Sequence, residues 1–176
     1  NVVMIEMESL SASFMQSYGS SKNHITPNLD RLMGEGIWFS NLYATGTRTV
    51  RGLEAMSAAL PPLPGQSIVR RSNSGGLYTL GGMLAKKNYR PMFMYGGYGA
   101  FDNMNAYFAA NGYAIRDRST FSEANQSFAT VWGVADEMLF NEAMIQLDAD
   151  FGAKQPRFLH IMTTSNHRPY TYPSGR

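Results

Sequence analysis

The 176-residue chain predicts an α/β fold: a mostly parallel central sheet with helices on both faces. Three observations predict it. Short apolar runs that read as strands alternate with stretches of helical spacing. Polar residues able to do chemistry stand directly after those runs, where a parallel sheet presents its carboxyl ends. The composition, 44% hydrophobic and 16% charged, is that of a folded chain with enough apolar material for one core.

Taken in order, Val2 to Met7 is a short apolar run that reads as a buried strand, with Glu8-Ser9 at its end. Leu10 to Tyr18 has helical spacing, with Gly19 as its stop. Thr26-Pro27 opens a second helix, Thr as N-cap and Pro at the first helical position, ended by Gly34 or Gly36. Ile37 to Tyr43 alternates as a strand does. A Gly/Thr loop, Ala44 to Thr49, leads into a helix from Val50 to Leu60, which Pro61-Pro62 ends. Pro64 to Gly76 is loop-like. Leu77 to Asn88 is a helix, Arg90 to Tyr95 a third strand, and Asn103 to Asn111 a helix. Arg116 to Ala129 has no period and reads as a surface loop. Val134 to Phe151 is the longest helix, and Arg157 to Met162 the fourth strand. There is no internal repeat.

Composition excludes several classes. A net charge of +2, with no basic run beyond Arg70-Arg71 and Lys86-Lys87, argues against a nucleic-acid partner. The absence of cysteine removes disulfides, zinc-thiolate sites and a cysteine nucleophile. No stretch reaches the ~18 apolar residues of a membrane span, and no signal peptide is visible. The chain opens on a strand and stops just after a motif-like stretch, so flanking segments are expected beyond both ends.

The chemistry gathers at the strand ends. Glu8 is a carboxylate suited to Mg, Mn, Ca or Zn, or equally to a helix cap or a salt bridge. Thr49 precedes a helix, so it is either an N-cap or a nucleophile. A helix N-terminus there would also favour an anionic phosphoryl or sulfuryl group. Arg48 and Arg51 flank it and read as anion-neutralising or as surface residues. His167, in Ser165-Asn-His-Arg-Pro169, is placed to hydrogen-bond a phosphate oxygen or protonate a leaving group. His160 lies inside a strand and reads as a packed, hydrogen-bonded histidine, and His24 as an exposed one. Tyr95-Gly-Gly-Tyr-Gly-Ala-Phe-Asp-Asn103 lacks the spacing of a dinucleotide fingerprint and reads as a flexible pocket wall. Asn103 and Asn105 either bond a polyol or cap the next helix.

These segments, in order, carry a family pattern: Glu8-Ser9, Thr26-Pro-Asn-Leu-Asp-Arg-Leu32, Gly36-Ile-Trp-Phe-Ser-Asn41, the loop ending in Thr49, and Ser165-Asn-His-Arg-Pro169. The chain resembles the sulfatase-like domain of the alkaline phosphatase superfamily, closest to lipoteichoic acid synthases and related phosphoglycerol transferases. The resemblance implies that residues 1–176 are the N-terminal portion of one catalytic domain whose C-terminal part lies outside this chain. It makes Glu8 the metal-binding glutamate and Thr49 the nucleophile and second metal ligand, with Thr47 as fallback. His167 becomes a catalytic and substrate-binding histidine and Asp136 a structural one; Arg51, Tyr95 and Asn103, read from their own chemistry and place in the chain, are the further substrate-binding candidates. The implied cofactor is a divalent ion, manganese first, with Mg, Zn or Ca as alternatives. The implied partners are an anionic phospholipid head group and a glycan or polyol acceptor. The implied location is the cytoplasmic membrane, anchored through segments outside this chain, with the catalytic domain on the extracytoplasmic side.

Departures accompany the match. The family's phosphoglycerol pocket carries a histidine, a tryptophan and an arginine where this chain has Tyr95, Asp102 and Met104. Without a cysteine, a cysteine-type sulfatase mechanism is disfavoured. A phosphoethanolamine transferase or phosphodiesterase, another hydrolase of the family, and a non-catalytic glycan- or partner-binding domain are the alternatives. The family's later Asp–His metal ligands have no counterpart after His167, so this stretch by itself is expected to be inactive.

Overall fold

The computed structural model describes residues 1–18 and 24–175. They fall into two compact units, Ser9–Ala44 and the rest of the chain.

The larger unit is built on a four-stranded sheet in the order β1-β4-β2-β3, with every pairing parallel. The strands are β1 (Val2–Glu6), β2 (Arg90–Tyr95), β3 (Ala114–Asp117) and β4 (Arg157–Met162). Helix α1 (Pro27–Met33) belongs to the smaller unit. The helices of the larger unit are α2 (Thr49–Ala58), α3 (Leu80–Ala85), α4 (Met104–Ala110) and α5 (Asp136–Gly152).

The two central strands are buried on both faces, as parallel strands covered by helices must be. Successive side chains alternate sides, so each strand feeds two cores. Phe93, Tyr95, Phe158 and Met162 pack with Val50 and Leu53 of α2 and with Met104, Tyr107 and Phe108 of α4. Met92, Met94, Leu159 and Ile161 pack with Leu139 and Ala143 of α5. His160 points into the first core among the rings of Phe93, Phe108, Tyr113 and Phe158, and its Nε2 lies 2.6 Å from Glu6 Oε1. It is the packed, hydrogen-bonded histidine its position in a strand predicts.

The helices start and stop for local reasons. The Thr79 hydroxyl accepts from Gly82 N and caps α3, so that helix begins at Leu80 rather than Leu77. Leu77 N is instead held by Asn111 Oδ1 at 2.8 Å. The stretch from Arg116 to Ala129 is not a featureless loop. It begins inside β3 and continues through 3₁₀ turns at Arg118–Thr120 and Glu123–Gln126.

In the smaller unit, the helix predicted from Leu10 to Tyr18 is replaced by 3₁₀ turns at Ala12–Phe14 and Gln16–Tyr18. The serines there compete for the backbone: the Ser11 hydroxyl accepts from Ser13 N at 3.2 Å and caps a turn. The expected stop at Gly19 lies outside the described residues. Helix α1 starts at Pro27 as expected and ends at Met33, with Gly34 at its C-cap. Thr26 makes no capping bond and donates instead to Asp30. Ile37 to Tyr43 is not a strand: its alternation is real, but no strand pairs with it among the described residues.

The loop after β3 hangs on one carboxylate. Glu142 of α5 is 1% exposed and accepts from Arg116 Nη2 at 2.6 Å, Asn125 Nδ2 at 2.9 Å and Ser122 N at 3.0 Å. Burial alone would raise its carboxyl, but the bonds from Asn125, Arg116 and Ser122 outweigh that and hold it down at about 2. A group depressed on folding stabilises the fold above its unfolded value of 4.5, and that contribution fades as pH falls towards about 2. Replacing Glu142 with Ala strands Arg116, and urea unfolding is expected to show a loss of about 3 kcal/mol at neutral pH. Glu142→Gln is expected to flatten the fall in stability between those two pH values; an unchanged acid limb in the same titration would refute the assignment.

Candidate active site

The ends of β1, β2 and β4 and the start of α2 open on one pocket, lined by Glu8, Thr49, Tyr95, Thr163, Thr164 and His167. Phe101, Asp102, Met104 and Trp132 complete its wall. The structure therefore brings together Glu8, Thr49, Tyr95 and His167, separated by up to 159 positions in sequence.

Glu8 is fixed by its backbone. Its N–H donates to Thr163 Oγ1 at 3.0 Å, and its carbonyl accepts from Asn166 Nδ2 at 3.2 Å. Its carboxylate turns to the pocket, where Oε2 accepts from the Thr49 hydroxyl at 2.9 Å. Thr49 is the first residue of α2, with Arg48 in the cap position, so its hydroxyl does not cap the helix. The side chain that commonly satisfies a helix N-terminus faces the carboxylate instead.

The segment Thr163 to His167 owes its shape to α5. Asp136 Oδ1 accepts from Thr164 N at 2.8 Å and Ser165 N at 3.1 Å, and Asp136 N in turn donates to Ser165 Oγ at 2.9 Å. Burial pushes the Asp136 carboxyl above its ordinary range despite those bonds. His167 N donates back to Thr164 O at 3.0 Å, closing the turn. The imidazole packs on the Trp132 indole with ring centres 3.8 Å apart. Its Nδ1 lies 2.8 Å from the Arg168 carbonyl, which can only accept, so Nδ1 carries the proton. Nε2 is left to accept a proton when the ring is neutral and to donate one when it is charged. The Arg168–Pro169 peptide bond is cis.

Tyr95 is buried at the end of β2, and burial, with the charges of Glu8 and Asp102, pushes its hydroxyl up to about 12. It is a neutral hydrogen-bond donor at physiological pH. The glycine run after it is a close-packed wall, not a flexible one. Gly96 O accepts from Val134 N at 2.9 Å, Gly97 O from Arg118 N at 3.1 Å, and Asp117 Oδ2 from Gly99 N at 2.8 Å. A Cβ on Gly97 would overlap the Trp132 carbonyl oxygen, and one on Gly133 would lie 2.5 Å from the Gly96 carbonyl oxygen. Only glycine lets these two chain segments cross.

Other candidates stand elsewhere. Arg51 is held by Glu54 Oε1 at 2.7 Å and by the Gly65 carbonyl, and is not among the pocket's lining residues. Nor is Thr47. Asn103 donates its side-chain N–H to Val69 O at 2.8 Å, and Asn105 to Asp117 Oδ2 at 2.7 Å. Arg48 and His24 are exposed. Phe101 lines the pocket from the run read as its wall; Trp132 joins without any sequence signal, because the segment that carries it shows no periodicity.

This pocket sits at the carboxyl ends of a parallel sheet, with a hydroxyl and a carboxylate at a helix start, and the sulfatase family model matches residues 1–175. The chain belongs to the sulfatase family. It is 28% identical to lipoteichoic acid synthase 2 of Bacillus subtilis, over 99% of this chain and 27% of that protein. It is 26% identical to phosphoglycerol transferase I of Xanthomonas campestris pv. campestris, over 96% of this chain and 25% of that one. A Vibrio parahaemolyticus protein of the alkaline phosphatase superfamily superposes with a TM-score of 0.91 and 40% identity, over 99% of this chain and 42% of the other. The lipoteichoic acid synthase LtaP of Listeria monocytogenes superposes at 0.86 with 19% identity, over 98% and 42%, and shows the shared fold. The chain thus spans about a quarter of the curated relatives' length, 27% and 25%. Among the described residues no helix is long and apolar enough to cross a membrane.

Asp136 is expected to hold the His167 segment from outside the pocket. In Asp136→Ala, amide exchange at Thr164 and Ser165 is expected to speed up about tenfold or more, the equivalent of one lost bond of about 1.4 kcal/mol. Thr163 N, which bonds to Glu6 O, is the internal control. Equal acceleration at all three amides would mean general destabilisation instead.

Proposed function

We propose that the full-length protein is a metal-dependent phosphoglycerol transferase. It uses Thr49 as nucleophile on an anionic phospholipid head group and passes the group to a glycan or polyol acceptor. The observation that carries this is the 2.9 Å bond from the Thr49 hydroxyl to Glu8 Oε2 at the first turn of α2, inside the pocket. The names of the relatives, lipoteichoic acid synthase and phosphoglycerol transferase, support the same chemistry.

The donors fit part of a divalent-ion site. Both are hard oxygens, and two ligand oxygens of one ion bound at about 2.1 Å lie about 3 Å apart. That agrees with the 2.9 Å between Glu8 Oε2 and Thr49 Oγ1. Among the described residues no group of three or more His, Cys, Asp or Glu is placed to hold a metal, so further ligands are needed for a complete shell. Manganese is the first choice, with Mg, Zn or Ca as alternatives. When bound, such an ion lowers the pKa of the Thr49 hydroxyl and polarises a phosphoryl oxygen.

The chain's own residues do the rest. Thr49 Oγ1, its proton released to water, attacks phosphorus as the alkoxide, and the bond from phosphorus to the diacylglycerol oxygen breaks; the second step restores that alkoxide. The N-terminal amides of α2 face the negative charge on the phosphoryl oxygens. Tyr95 donates its hydroxyl proton in a hydrogen bond to the same group. His167 Nε2, when protonated, gives its proton to the departing alkoxide. In the second step an acceptor hydroxyl attacks phosphorus, the bond to Thr49 breaks, and neutral His167 takes the acceptor's proton. A lipid substrate puts the proposed chemistry at a membrane surface, and the resemblance to phosphoglycerol transferases favours the extracytoplasmic face of the cytoplasmic membrane.

Intact-mass spectrometry tests the reading directly. Full-length protein incubated with a phosphatidylglycerol analogue and manganese is expected to gain one phosphoglycerol unit, and Thr49→Ala none. Glu8→Gln is expected to lower adduct formation by about a hundredfold or more, given its bond to the nucleophile. An adduct that persists in Thr49→Ala would exclude Thr49 as the nucleophile.

A further inference from the structure

We propose that Trp132 is a positioning residue for His167: its indole fixes the carbonyl that holds the Nδ1 proton, and so keeps Nε2 as the nitrogen that exchanges a proton with the substrate. This rests on the transferase reading above and adds the residue through which its proton donor is set.

Two N–H groups converge on one oxygen. The Arg168 carbonyl accepts from His167 Nδ1 at 2.8 Å and from Trp132 Nε1 at 2.7 Å. A carbonyl oxygen has two lone pairs, so it satisfies both donors together. The first bond is local, between neighbours in sequence, and Arg168 is exposed. A carbonyl on an exposed turn can swing to water as readily as to the ring beside it. The second bond spans 36 positions and ties that carbonyl to another part of the fold. The indole also lies against the imidazole, with ring centres 3.8 Å and planes 33° apart. The last torsion of a histidine has broad wells, so its ring direction is set by such neighbours.

Trp132 is itself held at the sheet end. Its N–H donates to Thr130 Oγ1 at 3.1 Å, and Thr130 N donates to Gly133 O at 2.8 Å, which closes a turn. Val134 N then donates to Gly96 O at 2.9 Å and anchors that turn just beyond β2. Phe101 meets the indole edge to face at 6.0 Å. The one polar group of the indole is committed to Arg168 O, so Trp132 acts through His167 rather than on the substrate.

The choice of nitrogen decides the chemistry. A neutral imidazole has one N–H, and a partner on one nitrogen settles which it is. With Nδ1–H on the carbonyl, Nε2 keeps the lone pair; it takes up a proton and, once charged, gives it away. Loss of the carbonyl lets the neutral ring carry its proton on Nε2, and the lone pair then lies on the other edge of the ring.

The test compares two donors in the full-length protein loaded with manganese. One is a phosphatidylglycerol analogue, whose leaving alkoxide needs a proton. The other is para-nitrophenyl phosphoglycerol, whose nitrophenolate does not. The rate of Thr49 adduct formation is measured for the parent, Trp132→Phe, His167→Gln and the double variant. Trp132→Phe keeps an aromatic face and loses the N–H. It is expected to slow the first donor about tenfold or more, part of the roughly hundredfold that a positioned acid contributes, and to leave the second within about twofold. On top of His167→Gln the same change is expected to add nothing. Equal slowing of both donors would make Trp132 merely structural. That result, no slowing of the first donor, or slowing that persists without His167 would each overturn the proposal. Nitrogen NMR of ring-labelled histidine reads the same assignment without chemistry. With the ring neutral, about two pH units above the ordinary histidine value of ~6.5, the parent is expected to carry the proton on Nδ1 and Trp132→Phe to show a mixture with Nε2. An unchanged Nδ1 form in the variant would count against Trp132 in the same way. The two readings fail separately: a parent that forms no adduct with either donor removes the transfer, while the ring nitrogens still decide the role of Trp132.

Discussion

The parallel register of β1 on β4 governs the site. Glu6 is paired with Met162, and Thr163 N continues the ladder by donating to Glu6 O at 3.1 Å. Both chains therefore leave the sheet at the same level and in the same direction. Glu8 and Thr163 meet there because parallel strands present their carboxyl ends together. An antiparallel pairing would send them to opposite ends of the sheet. A shift of one residue would turn Met162 out of the core beside Phe93 and Phe158. The cores on both faces of β4 thus fix the height of Glu8, although Glu8 itself is no part of either.

Polar bonds then refine what the register sets. The Thr163 hydroxyl and Asn166 amide hold the Glu8 backbone from both sides, and Asp136 holds Thr164 and Ser165 from α5. In the Ser165-Asn-His167 motif each residue has its own task. Ser165 caps α5 through Asp136 N, Asn166 holds Glu8, and His167 lies on Trp132 in the pocket. The motif is short because these tasks fall on adjacent positions of one turn.

The sequence makes some elements plain for physical reasons and hides others. β2 and β4 begin and end where their apolar runs do, because both faces are covered. β3 is hidden because Ala114-Ile-Arg-Asp117 is a short edge strand with two charged residues, and what keeps Arg116 in place is Glu142, a partner 26 positions away. Ile37 to Tyr43 errs in the other direction, since alternation is local and pairing is not. At the site, Glu8, Thr49, Tyr95 and His167 are legible because each ends a strand, follows one or starts a helix. Arg51 is drawn in only by its closeness to Thr49 in sequence. On an α-helix, residues two apart point about 200° away from each other, and Arg51 turns to Glu54 instead. Trp132 arrives on a segment that crosses the glycine run, a contact that no periodicity encodes.

Thr49 shows what the position of the proposed nucleophile gives up. An N-cap threonine would bond its own helix and contribute about 1 kcal/mol. Here Arg48 takes the cap position without a capping bond, and the threonine hydroxyl is committed to Glu8. The end of α2 that opens on the pocket therefore has no side-chain cap among the described residues. The uncapped helix start costs stability, while the hydroxyl's bond to Glu8 serves the pocket rather than the helix. In the proposed reaction each is used when an anionic phosphoryl group lies across the helix end: the amides gain acceptors, and the hydroxyl gains an electrophile. The local cost and the proposed chemistry therefore have one origin, a helix that begins one residue too early for its threonine to cap it.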